Sequence, residues 1–228
     1  MIREVLPSVA AVAARAAREI AGRARVAIAD HGRFALALSG GSTPWLMLRE
    51  LAQMDVPWVQ VHLFQVDERV APDGSTDRNL THLRESLLSQ VPIPAAQVHA
   101  LPVNDADLDA ACAQYAAALA AVACAPPVLD LVHLGLGVDG HTASLVPGDG
   151  VLDVAGVDVA PTGAYMGHRR LTLTYPVLDR ARGVLWVVTG ADKAAMLARL
   201  VQGDASIPAG RVRADRALVL ADAAAVGG

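Results

Sequence analysis

Residues 33–44 read RFALALSGGSTP, a short apolar run passing through paired glycines into a threonine and a proline. A run of this length bounded by turn residues reads as a buried strand, Arg33 to Leu38. Gly40 and Gly41 let the chain turn sharply. Thr43 then suits a helix cap, and Pro44 suits the first helical position, so a helix is expected from Pro44 to about Gln53. Strand, tight turn and helix make the unit from which parallel sheets are assembled, because parallel neighbours need a crossover between them.

The same alternation continues along the chain. VQVHLFQV at 59–66 reads as the next strand and ends at Asp67, and Pro72, Asp73 and Gly74 mark a loop before a helix near 77–90. A further helix spans about 105–123. VLDLVHLGL at 128–136 is again a strand, ending in Gly137. LTLT at 171–174 and VLWVVT at 184–189 are strand candidates, a helix opens near Ala191, and ALVL at 217–220 is the last strand. Strands separated by helices predict an α/β fold: a mostly parallel, Rossmann-like open sheet with helices on both faces, spanning 1–228 as one domain. In such sheets ligands bind beyond the carboxyl ends of the strands. SGGSTP, Asp67, the Gly137–His141 loop and Lys193 all fall at such positions.

Composition narrows the function. The chain has 228 residues, 54% of them apolar, and a net charge of −4 with no basic run, which argues against a nucleic-acid partner. Its apolar runs are interrupted before membrane-spanning length, as by Arg15 and Arg18. The alanine-rich N-terminal stretch with Arg3, Arg15, Arg18, Arg23 and Arg25 also fits an organellar transit peptide. Glu4, Glu19, an apolar stripe of Val5, Val9, Val12 and Ile20, and Ser8 as a cap favour the first helix of the domain. Cys112 and Cys124 share one helical stretch, where twelve residues place them roughly 18 Å apart, too far for a disulfide. Small apolar side chains in a reducing cytoplasm are the reading they support.

Three segments carry chemistry. Ser39-Gly40-Gly41-Ser42-Thr43-Pro44 offers hydroxyls and free N–H groups at a helix start, a natural phosphate site. It lacks the GxxxxGK[ST] of a nucleotide P-loop, and a plain tight turn is the alternative. Asp67-Glu68-Arg69 follows a strand, and its alternative is a solvated loop. Gly135 to Ser144, GLGVDGHTAS, sets one carboxylate and one imidazole two residues apart in a glycine-rich loop. Histidine titrates near neutrality and can take a proton from water, and a nearby carboxylate can orient its ring. No metal-ligand cluster is evident.

SGGSTP, DER with the following DRNLTHLRESLL, and LGLGVDGHTASLVPG together resemble the 6-phosphogluconolactonase family, which belongs to a wider group with the glucosamine-6-phosphate deaminases. RLTLTYPVL, VVTGADKAAML, IPAGRV and LVLADAAA follow the family's order, so the resemblance covers nearly the whole chain. It implies hydrolysis of 6-phospho-D-glucono-1,5-lactone in the oxidative pentose phosphate pathway, in the cytoplasm and without cofactor or metal. His141 would be the general base that activates water. Asp139 and Asp67 would line the pocket, and Arg69 would stabilise charge on the carbonyl or ring oxygen. The phosphate would rest on Gly40, Gly41, Ser42 and Thr43, with Lys193 and Arg170 adding positive charge.

Two departures stand out. Arg78 precedes Asn79 where the family usually has serine, and is itself a candidate to meet the phosphate. Arg170 precedes a strand rather than following one, so its place on the active rim rests on the resemblance. The deaminases place a glutamate five residues after the histidine, where this chain has Val146, which cannot relay protons. That residue argues against a deaminase, the nearest alternative; a sugar-phosphate sensor that kept the cradle but lost the chemistry is another alternative.

Overall fold

Short strands of two to six residues, most of them apolar, build a seven-stranded parallel sheet. The computed structural model describes residues 1–227. The sheet contains β1 (Ile2–Leu6), β2 (Phe34–Leu38), β3 (Val61–Gln65), β5 (Val98–His99), β6 (Leu131–Leu134), β9 (Val184–Val188) and β10 (Ala217–Asp222). Its order is β1-β10-β9-β6-β2-β3-β5. A second, antiparallel sheet joins β4 (Asp67–Arg69), β8 (Arg170–Leu173) and β7 (Val159–Pro161).

Side chains on successive strand residues face opposite ways, so each strand feeds two cores. Phe34, Leu36 and Leu38 of β2 meet α1 (Val9–His31), α2 (Ser42–Ala52) and α3 (Asn79–Leu83), which runs on as a wider π-helical turn at Arg84–Leu88. Ala35 and Ala37 face the other way, with α4 (Leu108–Ala123), α5 (Tyr175–Arg180) and α6 (Ala194–Val201) covering that face. The arginine-dotted N-terminal stretch is α1. Ser8 caps it, its Oγ accepting from Ala11 N at 3.2 Å, and Val12, Ala16, Ile20 and Ala24 form its buried stripe. No helix among the described residues is long and apolar enough to cross a membrane.

Several local expectations are corrected. Val5 lies on β1, not on the first helix, because Ile2–Leu6 pairs in register with Leu218–Asp222. A charged five-residue edge strand carries no periodic signal of its own. The cap of α2 is Gly41 rather than Thr43. Gly41 adopts φ 134°, a conformation suited to glycine, which starts the helix two residues earlier. Pro44 is tolerated there because the first four helical N–H groups lack intrahelical partners anyway. Asp67–Arg69 is a strand instead of a loop, and residues 170–173 pair with it outside the parallel sheet.

The topology opens a crevice. From β2 the chain proceeds through α2 to β3 and then β5, then returns to β6 on the opposite side of β2 and continues to β9 and β10. The connections leaving β2 and β6 therefore diverge. Such a switch point is where open α/β sheets bind ligands.

Candidate active site

A cavity of about 250 Å³ occupies this crevice. Its walls combine Ser39–Pro44 after β2, Asp67 and Arg69 of β4, Gly137 and His141 after β6, Arg170 of β8, and Lys193 just before α6. Charged and hydroxyl groups far apart in sequence thus share one small volume.

The loop after β6 folds tightly on itself, with Gly137 N donating to His141 O at 2.8 Å and Gly140 N to Gly137 O at 3.1 Å. This turn lays the Asp139 and His141 side chains across Gly137. A Cβ at Gly137 would collide with the His141 ring, and would sit 2.5 Å from Asp139 Oδ1. Asp139 Oδ1 accepts from His141 Nδ1 at 2.5 Å and from His141 N at 3.1 Å. Burial works against the Asp139 charge, but the His141 backbone N–H, the His141 ring and the Tyr165 hydroxyl outweigh it and hold the carboxyl below its ordinary pKa. An ionised Asp139 needs a donor, so Nδ1 carries the proton and Nε2 keeps its lone pair. Among the described residues Nε2 has no hydrogen-bond partner.

The opposite wall comes from the small sheet. Asp67 pairs with Thr172 and Arg69 with Arg170 in antiparallel register, which puts these side chains on one face. Asp67, 4% exposed, accepts from Ser144 Oγ at 2.6 Å and from Asn79 Nδ2 at 3.4 Å. Arg69 Nη1 donates to Asp77 O at 2.7 Å, and Arg170 Nη1 to Ser144 Oγ at 3.5 Å. The Nε groups of both arginines are buried without hydrogen-bond partners among the described residues. Burial and then the neighbouring Arg69 push the Arg170 pKa below its ordinary value. Guanidinium groups remain charged in proteins, so two adjacent cations border the cavity, a setting that favours an anion.

At the third wall α2 begins without a side-chain cap. Its first N–H groups have no intrahelical acceptor, and the helix dipole adds partial positive charge there. Thr43 Oγ1 lies 2.6 Å from Thr189 Oγ1, tying the start of α2 to the end of β9. Lys193 borders the same cavity. Its Nζ is 3.6 Å from Asp192 Oδ2.

The structure brings Gly40, Gly41, Ser42, Thr43, Asp67, Arg69, His141, Arg170 and Lys193 together around the cavity, with Asp139 immediately behind His141. Arg78 is the exception. It is 3% exposed, with Nε 3.2 Å from Glu68 Oε2 and Nη1 donating to Ala71 O at 3.1 Å, and it does not border the cavity. The expected phosphate contact is corrected on this ground: fully buried Glu68 needs a cation beside it. Glu68 also accepts from Asn79 N and Leu80 N, both at 2.8 Å, capping α3.

Asn79, Ser144, Thr189 and Tyr165 join the site without having been singled out. Asn79 and Ser144 lie inside the quoted motifs, whereas nothing in the sequence around Tyr165 marks it. Val146 is buried and outside the cavity wall.

Comparison with known proteins agrees with this geometry. Residues 7–220 match the family model described as glucosamine-6-phosphate isomerases/6-phosphogluconolactonase. A 6-phosphogluconolactonase of Nostoc sp. is 39% identical over 201 residues, covering 86% of this chain and 83% of that protein. One from Mycobacterium tuberculosis is 37% identical over 223 residues, covering 90% and 89%. The crystal structure of the Thermotoga maritima 6-phosphogluconolactonase superposes with a TM-score of 0.86 at 26% identity, covering 97% of this chain and 98% of that one. A monomeric glucosamine-6-phosphate deaminase shares the fold, with a TM-score of 0.85 at 18% identity, covering 100% and 99%. With the family model matching residues 7–220 and the Nostoc and Mycobacterium relatives 37–39% identical over most of both chains, this chain belongs to the glucosamine-6-phosphate isomerase/6-phosphogluconolactonase family.

Proposed function

We propose that this protein is a 6-phosphogluconolactonase, hydrolysing 6-phospho-D-glucono-1,5-lactone to 6-phospho-D-gluconate in the oxidative pentose phosphate pathway, with residues 1–228 acting as one catalytic domain in the cytoplasm. The observation that carries this reading is the Asp139–His141 pair, with His141 on the wall of a cavity that also holds cationic groups and a helix start. Hydrolysis begins when Nε2 takes a proton from water as the water oxygen bonds to the lactone carbonyl carbon. Asp139 stabilises the imidazolium so formed. Arg69, on the cavity wall, offers its guanidinium charge to the tetrahedral oxyanion. Collapse breaks the bond between that carbon and the ring oxygen, and the imidazolium returns its proton to the departing oxygen. Asp67, held by Ser144 and Asn79, sets the electrostatics beside the arginines. The phosphate rests on Gly40, Gly41, Ser42 and Thr43, with Lys193 and Arg170 supplying charge.

Turnover of freshly made lactone, corrected for spontaneous opening, tests the assignment. Activity should persist in chelator, and glucosamine 6-phosphate should release no ammonia. Ammonia release at a comparable rate would make the protein a deaminase, and tight binding without turnover would make it a sensor. The valine at position 146 favours the lactonase, because ring opening and isomerisation lose a proton relay there.

Lys193 tests the phosphate end separately. The phosphate is remote from the carbonyl, so its contacts hold the substrate in place more than they speed the chemistry. Lys193→Ala should raise KM more than it lowers kcat. Losing one partner of a buried charge pair costs roughly 2–5 kcal/mol, and the partial exposure of Lys193 places the effect near the lower end, about 30-fold in kcat/KM. Unphosphorylated gluconolactone, a poor substrate, should be nearly unaffected. Equal losses for both substrates would assign Lys193 a structural role.

A further inference from the structure

The turn between β7 and β8 carries a tyrosine that reaches back to the catalytic pair. Tyr165 N donates to His168 O at 2.9 Å and His168 N to Tyr165 O at 3.2 Å, closing the chain through Met166 and Gly167. The turn is moored to the β4 side. His168 Nδ1 lies 3.3 Å from Val70 O, and Nε2 lies 3.5 Å from Asp77 Oδ2. From this anchored base the Tyr165 hydroxyl donates to Asp139 Oδ2 at 3.1 Å.

The two oxygens of Asp139 are thereby divided. Oδ1 serves the His141 ring and backbone, and Oδ2 serves Tyr165. A carboxylate held at one oxygen can still swing about its side-chain bonds, and one held at both cannot. The Tyr165 ring also stands nearly edge-on to His141, with centroids 5.4 Å apart and planes at 66°. Arg170 covers the tyrosine ring, its Cζ 5.0 Å from the centroid, and Nη2 donates to Tyr165 O at 3.4 Å. One half-buried side chain thus touches Asp139, His141 and Arg170, yet does not border the cavity.

We propose that Tyr165 is a positioning residue for lactone hydrolysis: it locks Asp139 behind His141 and holds Arg170 against the cavity, coupling the proton-accepting and anion-facing halves of the site. This rests on the lactonase assignment. Tyr165 touches no substrate atom; it acts through the two groups it orients.

Two variants separate its contacts. Tyr165→Phe removes the hydroxyl and keeps the ring under Arg170. Losing one such hydrogen bond should lower kcat about three- to tenfold with KM unchanged. The acid limb of the pH–rate profile should move to higher pH, because a carboxylate freed of one donor holds the imidazolium more strongly. Tyr165→Ala also removes the ring, so KM should rise as well, by about two- to tenfold. A structural role alone would lower kcat in both variants in proportion to lost thermal stability, with no change in the acid limb and no KM split. That result, or a Tyr165→Phe profile matching the original, overturns the proposal. A protein inactive on the lactone before any substitution would instead overturn the functional assignment. The positioning is then read by NMR, which needs no turnover: the His141 Nδ1 proton signal should be sharp in the original protein and broadened by exchange in Tyr165→Phe. An identical signal in both overturns the proposal.

Discussion

Replacing His141 with alanine is expected to lower kcat by about 10²–10⁴-fold, the usual worth of a positioned general base, while KM stays nearly constant. The separation follows from geometry. His141 borders the cavity from the loop after β6, whereas the proposed phosphate cradle comes from the loop after β2 and from Lys193. Removing the imidazole therefore deletes the proton acceptor and leaves the binding groups in place. The pH profile gives a second reading. In the original protein activity should show an acid limb, because only a neutral imidazole can accept a proton from water. Asp139, held below its ordinary pKa, stays a carboxylate through that range and supports the imidazolium. In His141→Ala that acid limb should vanish along with the rate. Steady-state turnover, corrected for spontaneous lactone opening, checks both. Near-normal kcat would remove His141 from the mechanism.

Adding a single methyl group at Gly137 should cost about 100-fold in kcat, since misplacing a catalytic group by about 1 Å has an effect of that order. The residue lies outside the left-handed region, so alanine is compatible with its backbone. What it cannot accommodate is the Asp139–His141 pair lying across its face, which a Cβ would strike. Both side chains can swing aside, so the collision is relieved by displacing the catalytic pair instead of by unfolding the loop. Gly137→Ala should accordingly melt within a few degrees of the original protein while losing most of its turnover. A large drop in thermal midpoint with proportionate activity would show that the glycine serves folding and not the dyad. Because Gly137 and His141 act through one arrangement, the double variant should be little worse than His141→Ala alone.

Much of this molecule is legible in local sequence. Phe34–Leu38, with five apolar residues between turn signals, can only be satisfied by burial on both faces, and the structure buries all five. The Asp139–His141 pair is equally local. A single glycine, Gly140, separates them, and the short loop leaves the side chains little choice but to meet. The start of α2 follows the same logic, displaced by two positions because Gly41 takes a backbone conformation that only glycine adopts readily.

Other features belong to the tertiary structure alone. β1 exists because Ile2–Leu6 finds an open edge at Ala217–Asp222, more than two hundred residues away. Asp67–Arg69 is too short and too charged to show strand periodicity, and becomes a strand only against Arg170–Leu173. That pairing turns two separate arginines into one cationic wall. Arg78 and Arg170 look alike in sequence, each an arginine beside a motif, and both end up buried. Fully buried Glu68 draws Arg78 into an ion pair, while β8 aims Arg170 at the cavity. A local pattern determines what each segment prefers to be, since propensity and hydrophobic period act over a few residues. Which charges end up facing one another depends on strand pairing across long loops, and that is decided only when the whole chain packs.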